Sequence, residues 1–192
     1  MTPTLILASA SPRRSELLKQ LNLAHTIQIA DIDETPLANE KPADYVLRVA
    51  HEKSLAVYQQ CTKGCVVLAA DTSVVLGDTI MGKPDNLAHA LSMLSSLSGT
   101  THQVYSAVSL RGRTVQHVLS VSDVTFRTLS EQEIIDYWHT GEPADKAGAY
   151  AVQGLASIFI QSIQGSFSGI MGLPLFETAQ ILSNEGIKVF NE

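Results

Sequence analysis

One segment constrains the fold of this chain more than any other, the apolar run Val66–Ala70. Five consecutive apolar residues are typical of a β-strand that is covered on both faces. Other apolar runs alternate with segments of helical period along the chain, and no repeat or linker is long enough to separate two independent units. We therefore predict a single α/β or mixed α+β domain over residues 1–192.

The local patterns predict the order of the elements. We expect strands at residues 5–8, 26–29, 66–70 and 158–163, a short hairpin over 74–81 and a longer one over 103–126. Helices are predicted from residue 12 and over 43–60, 87–97, 131–139 and 175–185. Residues 31–36 and the glycine-rich stretch through Gly154 are predicted to be loops.

Composition and charge exclude several classes of function. The net charge of -6 repels polyanions, and no basic stripe offsets it, so binding to nucleic acid is disfavoured while capture of a small anion in a local basic pocket is not. No apolar run approaches the roughly 18 residues of a membrane span. The charges near the start follow the apolar stretch, which argues against a secretion signal. Cys61 and Cys65 form one pair without a nearby histidine, so neither a zinc site nor a disulfide is expected.

The start of the first helix carries two cations. Ser11 fits the N-cap and Pro12 the first helical position. Arg13 and Arg14 then fall in the first turn, where positive charge opposes the helix dipole and calls for a compensating anion. Free backbone N–H groups, the hydroxyls of Ser9 and Ser11 and the two guanidiniums would cradle a polyphosphate. An exposed basic turn is the alternative.

A lysine lies on the apolar face of the second predicted helix. The face is defined by its helical spacing and comprises Val46, Val49, Ala50, Lys53 and Val57. The Lys53 ammonium either reaches the edge of the core or projects into a cleft, where it would neutralise phosphate charge. The sequence leaves both interpretations open.

Acidic residues supply candidate metal ligands and a candidate base. Asp71 follows the apolar run Val66–Ala70, and the ends of such strands are where active-site groups of α/β sheets tend to lie. It also fits a turn or a helix cap. Together with Glu34, and with Asp33 as a weaker candidate, Asp71 would provide oxygen ligands for Mg²⁺ or Mn²⁺. A solvated loop is the alternative for residues 31–34.

Familiar phosphate and hydrolase motifs are incomplete or absent. Residues 77–84 match the first seven positions of a P-loop but place Pro84 where the magnesium-binding hydroxyl belongs, so we reject that assignment. Lys83 is retained as a further phosphate contact. The histidines show no metal-binding spacing, and neither GxSxG nor GxGxxG occurs.

Taken in order, several short motifs resemble those of the Maf family of nucleoside triphosphate pyrophosphatases. The motifs are Leu5-Ile6-Leu7-Ala8-Ser9-Ala10-Ser11-Pro12-Arg13-Arg14, Asp33-Glu34, Glu52-Lys53, Ala70-Asp71-Thr72, Gly82-Lys83-Pro84, Asp123-Val124-Thr125-Phe126-Arg127, Lys146-Ala147-Gly148-Ala149-Tyr150 and Gly172-Leu173-Pro174-Leu175. The likeness covers nearly the whole chain. Within the family the chain resembles the branch that acts on dTTP and UTP, because it carries Arg13, Thr72 and Gln153. The branch that acts on 7-methyl-GTP typically carries Trp, Gln and Glu at these places.

The resemblance implies a fold and an activity. We expect an elongated, two-lobed domain with a central mixed sheet and a deep nucleotide-binding cleft, a cytoplasmic location and a homodimer. It further implies a divalent cation and assigns Asp71 as the general base. Water would attack the α-phosphorus of dTTP or UTP, with Asp71 either removing its proton or orienting a metal-bound hydroxide.

Two other functions remain compatible with the same residues. One is a house-cleaning pyrophosphatase for a purine such as ITP or XTP, which would use the same phosphate contacts with a different base pocket. The other is a nucleotide-sensing regulator of cell division that binds without turnover. An anionic Asp71 facing the phosphates disfavours the regulator, because a pure binder gains nothing from an anion there.

Overall fold

A mixed sheet of seven strands runs through the computed structural model, which describes residues 3–61 and 64–190. The strands are β1 (Thr4–Leu7), β2 (Thr26–Ile27), β3 (Cys65–Leu76), β4 (Thr79–Met81), β5 (Thr101–Arg111), β6 (Val115–Phe126) and β7 (Ile160–Gln164). The α-helices are α1 (Pro12–Gln20), α2 (Pro42–Tyr58), α3 (Leu87–Leu97), α4 (Glu131–His139), α5 (Phe167–Met171) and α6 (Leu175–Asn184). Short 3-10 helices occupy Glu142–Asp145, Ala147–Ala149 and Leu155–Phe159. The fold class predicted from the sequence is confirmed.

The order of strands across the sheet is β2-β1-β3-β5-β6-β7, with β4 paired to β3 beside β1. β1 is parallel to both of its neighbours, whereas the pairs from β3 through β7 are antiparallel. The β5–β6 hairpin pairs in continuous register from Thr101 with Thr125 to Arg111 with Val115. This hairpin and β3 therefore form the centre of the sheet.

Two hydrophobic cores lie on one side of β3, and α2 covers the other side. One core packs α1 and α6 against Val66, Leu68 and Ala70, and the second packs α3 and α4 around Val74. The opposite face of β3 presents Val67 and Ala69 to α2. Successive side chains of a strand point to opposite faces, so β3 contacts both cores with one face and α2 with the other. We refer to each core with its covering helices as a lobe, the first with α1 and α6 and the second with α3 and α4.

Strand β3 is longer than the sequence predicted. We expected a strand over 66–70 that ended at Asp71, followed by a separate hairpin from residue 74, but β3 continues to Leu76 and Asp71 lies in its middle. The prediction that Asp71 stands at a strand end is therefore wrong. The physical reason is that Asp71 is buried against a cation from α2, so a charged residue can occupy the interior of the strand.

The remaining elements agree with the predictions to within a few residues, with three differences. Helix α4 begins after a capping box formed by Ser130 and Glu133 and ends as expected at His139. β2 is limited to two residues, the predicted loop through Gly154 contains 3-10 helices, and α5 was not predicted. Cys61 and Cys65 are free thiols. In the described part of the chain, no helix combines the length and apolar character required to cross a membrane.

A buried carboxylate ties the tip of the β5–β6 hairpin to the end of α6. Glu185 is 4% exposed and accepts hydrogen bonds from Arg113 N at 2.9 Å, Thr114 N at 3.0 Å and Thr114 Oγ1 at 2.7 Å. Burial by itself raises the pKa of Glu185, but the hydrogen bonds from Thr114 and Arg113 outweigh it, and the pKa lies below its ordinary value.

This contact predicts a pH-dependent contribution to stability. A lowered carboxyl pKa stabilises the folded state above the pKa of the unfolded chain, and the contribution is lost as the pH falls through the folded-state pKa. We expect Glu185→Gln to lower the free energy of unfolding by about 2 kcal/mol at pH 7, because one oxygen is replaced by a donor that faces donors. Urea unfolding at pH 7 and pH 4 should show the difference shrinking at the lower pH. A pH-independent difference would contradict this origin.

Candidate functional site

A cleft of about 520 Å³ opens beside the middle of β3. β1 pairs with β3 as far as Leu68, and β4 pairs with it again from Val74. Among the described residues, no strand pairs with that edge of β3 between these two points. The cleft occupies this open edge, and its volume is in the range of small-molecule sites. Side chains from both faces of β3 therefore reach it, including those of Asp71 and Thr72.

A lysine bound by two carboxylates lies at the inner end of the cleft. Lys53 Nζ donates to Asp71 Oδ1 at 2.9 Å and to Glu34 Oε2 at 2.8 Å. Lys53 and Asp71 are 8% and 6% exposed, whereas the side chain of Glu34 remains half exposed. Tyr45 holds the Glu34 loop by donating its hydroxyl to the Glu34 carbonyl oxygen at 2.9 Å. Of the two interpretations of Lys53, the structure shows the one in which the ammonium projects into a cleft.

Arg14 joins three segments at the other side of β3. Its Nε donates to the Gly172 carbonyl oxygen at 2.8 Å, Nη1 to Ser9 Oγ at 3.1 Å and Nη2 to Thr72 Oγ1 at 3.4 Å. Burial lowers the pKa of Arg14, and the charge of Asp71 opposes that shift. The guanidinium remains charged because its ordinary pKa is so high. Arg14 thus brings a fixed positive charge to the cleft.

The N-terminus of α1 faces the cleft with its first N–H groups available. Ser11 occupies the predicted N-cap position, but its side chain makes no capping hydrogen bond, and Ser9 Oγ instead accepts from Ser11 N at 3.2 Å. Ser9, Ser11, Arg13 and Arg14 all line the cleft. N–H groups at a helix start favour anions. The structure therefore brings the predicted cradle residues together.

The cleft is more basic than the chain as a whole. Its basic side chains are Arg13, Arg14, Lys53, Lys83 and Lys146, and its acidic ones are Glu34, Asp71 and Asp145. In a chain of net charge -6, this local excess of positive charge favours an anionic ligand. Lys83 is exposed, and its loop is anchored where Gly148 N donates to the Gly82 carbonyl oxygen at 3.0 Å.

The donor set at the inner end fits a hard divalent cation that also binds substrate oxygens. Within residues 3–61 and 64–190, no group of three or more His, Cys, Asp or Glu side chains could hold a metal ion. Glu34 and Asp71 nevertheless place two carboxylates around the Lys53 ammonium. Mg²⁺ commonly takes one or two carboxylates together with phosphates. Asp33 lies outside the cleft lining, and its Oδ1 accepts from Thr35 N at 2.9 Å.

Gln153 lines the cleft on a short turn of the other lobe. The turn is closed by Gly154 N, which donates to the Ala151 carbonyl oxygen at 3.0 Å. Gln153 is exposed, and its amide makes no hydrogen bond to any described residue. The apolar residues Val74, Val104 and Val152 line the same cleft. An amide beside an apolar surface can contact a flat heterocycle through its edge and its face.

Three further lining residues were not selected as site residues from the sequence. Tyr45 shares a helical face with Val49 and Lys53, so the same spacing that identified Lys53 could have identified it. Lys146 and Tyr150 belong to one of the quoted motifs but carried no assigned role. Burial raises the pKa of Tyr45 to about 12, with smaller contributions from the charges of Asp71 and Glu34, so its hydroxyl stays a hydrogen-bond donor.

Comparison with known proteins agrees with the resemblance found in the sequence. A family profile described as Maf-like protein matches residues 4–185. A dTTP/UTP pyrophosphatase of Nitrosomonas europaea is 52% identical, over 96% of this chain and 95% of that protein. One of Pasteurella multocida is 48% identical over 96% of each chain. A solved nucleoside-triphosphatase / dITP/XTP pyrophosphatase of Mycobacterium abscessus has a TM-score of 0.38 and 14% identity, covering 64% of this chain and 72% of the other.

Proposed function

The chain belongs to the Maf family, and from that premise we propose that it hydrolyses dTTP and UTP to the nucleoside monophosphate and pyrophosphate. The observation that carries the proposal is the pairing of a basic cradle with Asp71 and Gln153 in one cleft. The cradle suits a triphosphate, the carboxylate suits a reacting water, and the amide suits a base. We place the enzyme in the cytoplasm, where its substrates are made and used.

In the proposed reaction a water oxygen attacks the α-phosphorus. A bond forms between that oxygen and phosphorus, the bond to the bridging oxygen of the β-phosphate breaks, and pyrophosphate leaves. Asp71 accepts the proton of the attacking water. Lys53 orients the Asp71 carboxylate through the 2.9 Å hydrogen bond. Arg13, Arg14 and Lys83 offset the charge that develops on the phosphate oxygens.

A divalent cation such as Mg²⁺ or Mn²⁺ would be held by Glu34 and Asp71 and would supply charge neutralisation at the phosphates.

Ser9 and Ser11 would bind phosphate oxygens beside the N-terminus of α1, although Ser9 Oγ already accepts two hydrogen bonds within the protein. Its own proton therefore remains for a phosphate oxygen.

We assign selection of the base to Arg13, Thr72 and Gln153. Thr72 Oγ1 forms a hydrogen bond with Ser106 Oγ at 2.9 Å, and Ser106 donates in turn to the Gly169 carbonyl oxygen at 2.6 Å. Thr72 would thus act partly by fixing the guanidinium of Arg14. Gln153 offers both a donor and an acceptor, which match the edge of uracil or thymine.

Replacing the Gln153 amide by a carboxylate should weaken pyrimidine use. We expect Gln153→Glu to lower kcat/KM for dTTP and UTP by about tenfold or more, because glutamate only accepts hydrogen bonds and its charge faces a carbonyl oxygen of the base. Gln20→Glu, at the exposed end of α1, is the matched control and should leave both values unchanged. Equal activity of the two variants would mean that the base is recognised elsewhere.

A substrate panel tests the proposed function directly. The purified chain is incubated with Mg²⁺ or Mn²⁺ and with dTTP, UTP, CTP, 7-methyl-GTP or ITP, and the products are identified by chromatography. Release of pyrophosphate from dTTP and UTP ahead of the others is the expected result. Preference for ITP would instead identify a purine pyrophosphatase, and nucleotide binding without turnover would identify a regulator. Sedimentation of the same preparation tests the homodimer, which stays a prediction.

A further inference from the structure

The turn that carries Gln153 is held from behind by two residues that do not line the cleft. Glu142 Oε2 accepts from Leu155 N at 2.9 Å, and Glu142 Oε1 accepts from Ala156 N at 3.3 Å. These N–H groups open the 3-10 helix Leu155–Phe159, which begins two residues after Gln153. The carboxylate therefore caps the segment on the C-terminal side of the turn.

Tyr137 completes the arrangement on the N-terminal side of the turn. Its hydroxyl donates to Glu142 Oε1 at 2.7 Å and accepts from Ala151 N at 3.3 Å. Tyr137 is 4% exposed and lies on α4, so its ring is fixed in the core of that lobe. One continuous network of hydrogen bonds thus holds residues 151 and 155–156 on either side of Gln153.

Gly154 shows how closely the carboxylate approaches the turn. A Cβ at this position would overlap the Glu142 carboxylate, although the backbone angle φ of -106° suits any residue. The absence of a side chain is therefore required by contact with Glu142 and not by backbone conformation. Glutamate side chains are flexible, but this one is anchored by three hydrogen bonds and cannot move aside without losing them.

We propose that Glu142 and Tyr137 are positioning residues for base selection, which fix the direction of the Gln153 amide from behind the turn. The inference rests on the proposed function, since it requires that Gln153 contacts the base. A free turn of this length would sample several directions, and the amide would lose selectivity before it lost contact. The hydrogen bonds of this network contact neither the start of α1 nor β3, so phosphate binding at Arg13 and Arg14 and the chemistry at Asp71 do not depend on it.

Three variants release the turn by different routes. Tyr137→Phe removes one oxygen atom, Glu142→Ala removes the carboxylate, and Gly154→Ala displaces it. We expect each to raise the KM for dTTP about tenfold while kcat stays within about twofold, because a contact remote from the reacting phosphorus contributes binding that is equal in the ground and transition states. The preference for dTTP over CTP should fall by a similar factor. Glu133→Ala, a capping carboxylate of α4, is the control for destabilisation alone.

A double-variant cycle separates positioning from a general structural role. If Glu142 acts through Gln153, then Glu142→Ala combined with Gln153→Ala should be no less selective than Gln153→Ala alone. Additive losses of selectivity, or full selectivity in both Tyr137→Phe and Glu142→Ala, would overturn the inference while leaving the proposed function intact. Failure of the wild-type chain to turn over pyrimidine triphosphates would overturn both.

Discussion

Asp71→Asn is expected to lower kcat for dTTP by a factor on the order of 10² or more while nucleotide binding survives. Asparagine has the shape of aspartate and can still accept the hydrogen bond from Lys53, so the geometry of the inner cleft is preserved. The amide, however, cannot take a proton from water at neutral pH. Turnover with saturating substrate and calorimetric titration of a nonhydrolysable dTTP analogue separate the two effects.

The matched control for this prediction is Asp123→Asn. Asp123 is a half-buried strand aspartate that accepts from Gln103 Nε2 at 3.0 Å and lies outside the cleft lining. Its variant should keep kcat within about twofold, since an asparagine oxygen can accept the same bond. Unchanged turnover in Asp71→Asn would remove this residue from the mechanism and would leave Glu34 as the remaining carboxylate of the inner cleft.

Lys53→Met is expected to reduce both stability and turnover. Removing the ammonium leaves Asp71 buried without its cation, and loss of one partner of a buried ion pair typically costs about 3 kcal/mol or more of folding free energy. Glu34 is half exposed and can turn to solvent, so its contribution to this cost is small. Turnover should fall on the order of 10²-fold, because a fixed positive group beside the reacting centre is lost.

Thermal unfolding and steady-state kinetics test the two parts of this prediction separately. Lys19→Met, which changes an exposed lysine in the last turn of α1, serves as the control and should alter neither. Addition of a substrate analogue should restore less stability to the Lys53 variant than to the wild-type chain. A variant that keeps full turnover at a lowered melting temperature would confine Lys53 to a structural role.

Much of the fold was predictable because local signals agreed with tertiary packing. Helix α4 is an example, since Ser130 and Glu133 cap it where its apolar period begins. The end of β3 was not predictable, because Asp71 looks like a terminator unless its partner is known. That partner, Lys53, lies 18 residues earlier in the chain and meets it only after α2 packs on the sheet.

The residues of the candidate site likewise divide into those that local sequence signals predict and those that depend on tertiary contacts. The cradle is local, since Ser9, Ser11, Arg13 and Arg14 surround a single helix start, and short-range rules of helix capping and charge find it. The role of Glu142 is not local in the sequence, because its carboxylate oxygens accept hydrogen bonds from the N–H groups of residues 155 and 156. A glutamate in a polar turn has no sequence pattern that would distinguish it from an exposed one. Such contacts become visible only when the turn geometry is known.

The open edge of β3 also has a defined length. The segment from Leu68, where β1 stops pairing, to Val74, where β4 begins, spans six residue steps, which amounts to about 20 Å in an extended strand. Ser9 lies near the Leu68 end, since Ala8 N donates to the Leu68 carbonyl oxygen at 2.8 Å, and the second lobe packs at the Val74 end, where a Cβ on Gly148 would meet the Val74 side chain. The distance between two strand partners in the sheet therefore sets the width of the opening beside Asp71 and Thr72.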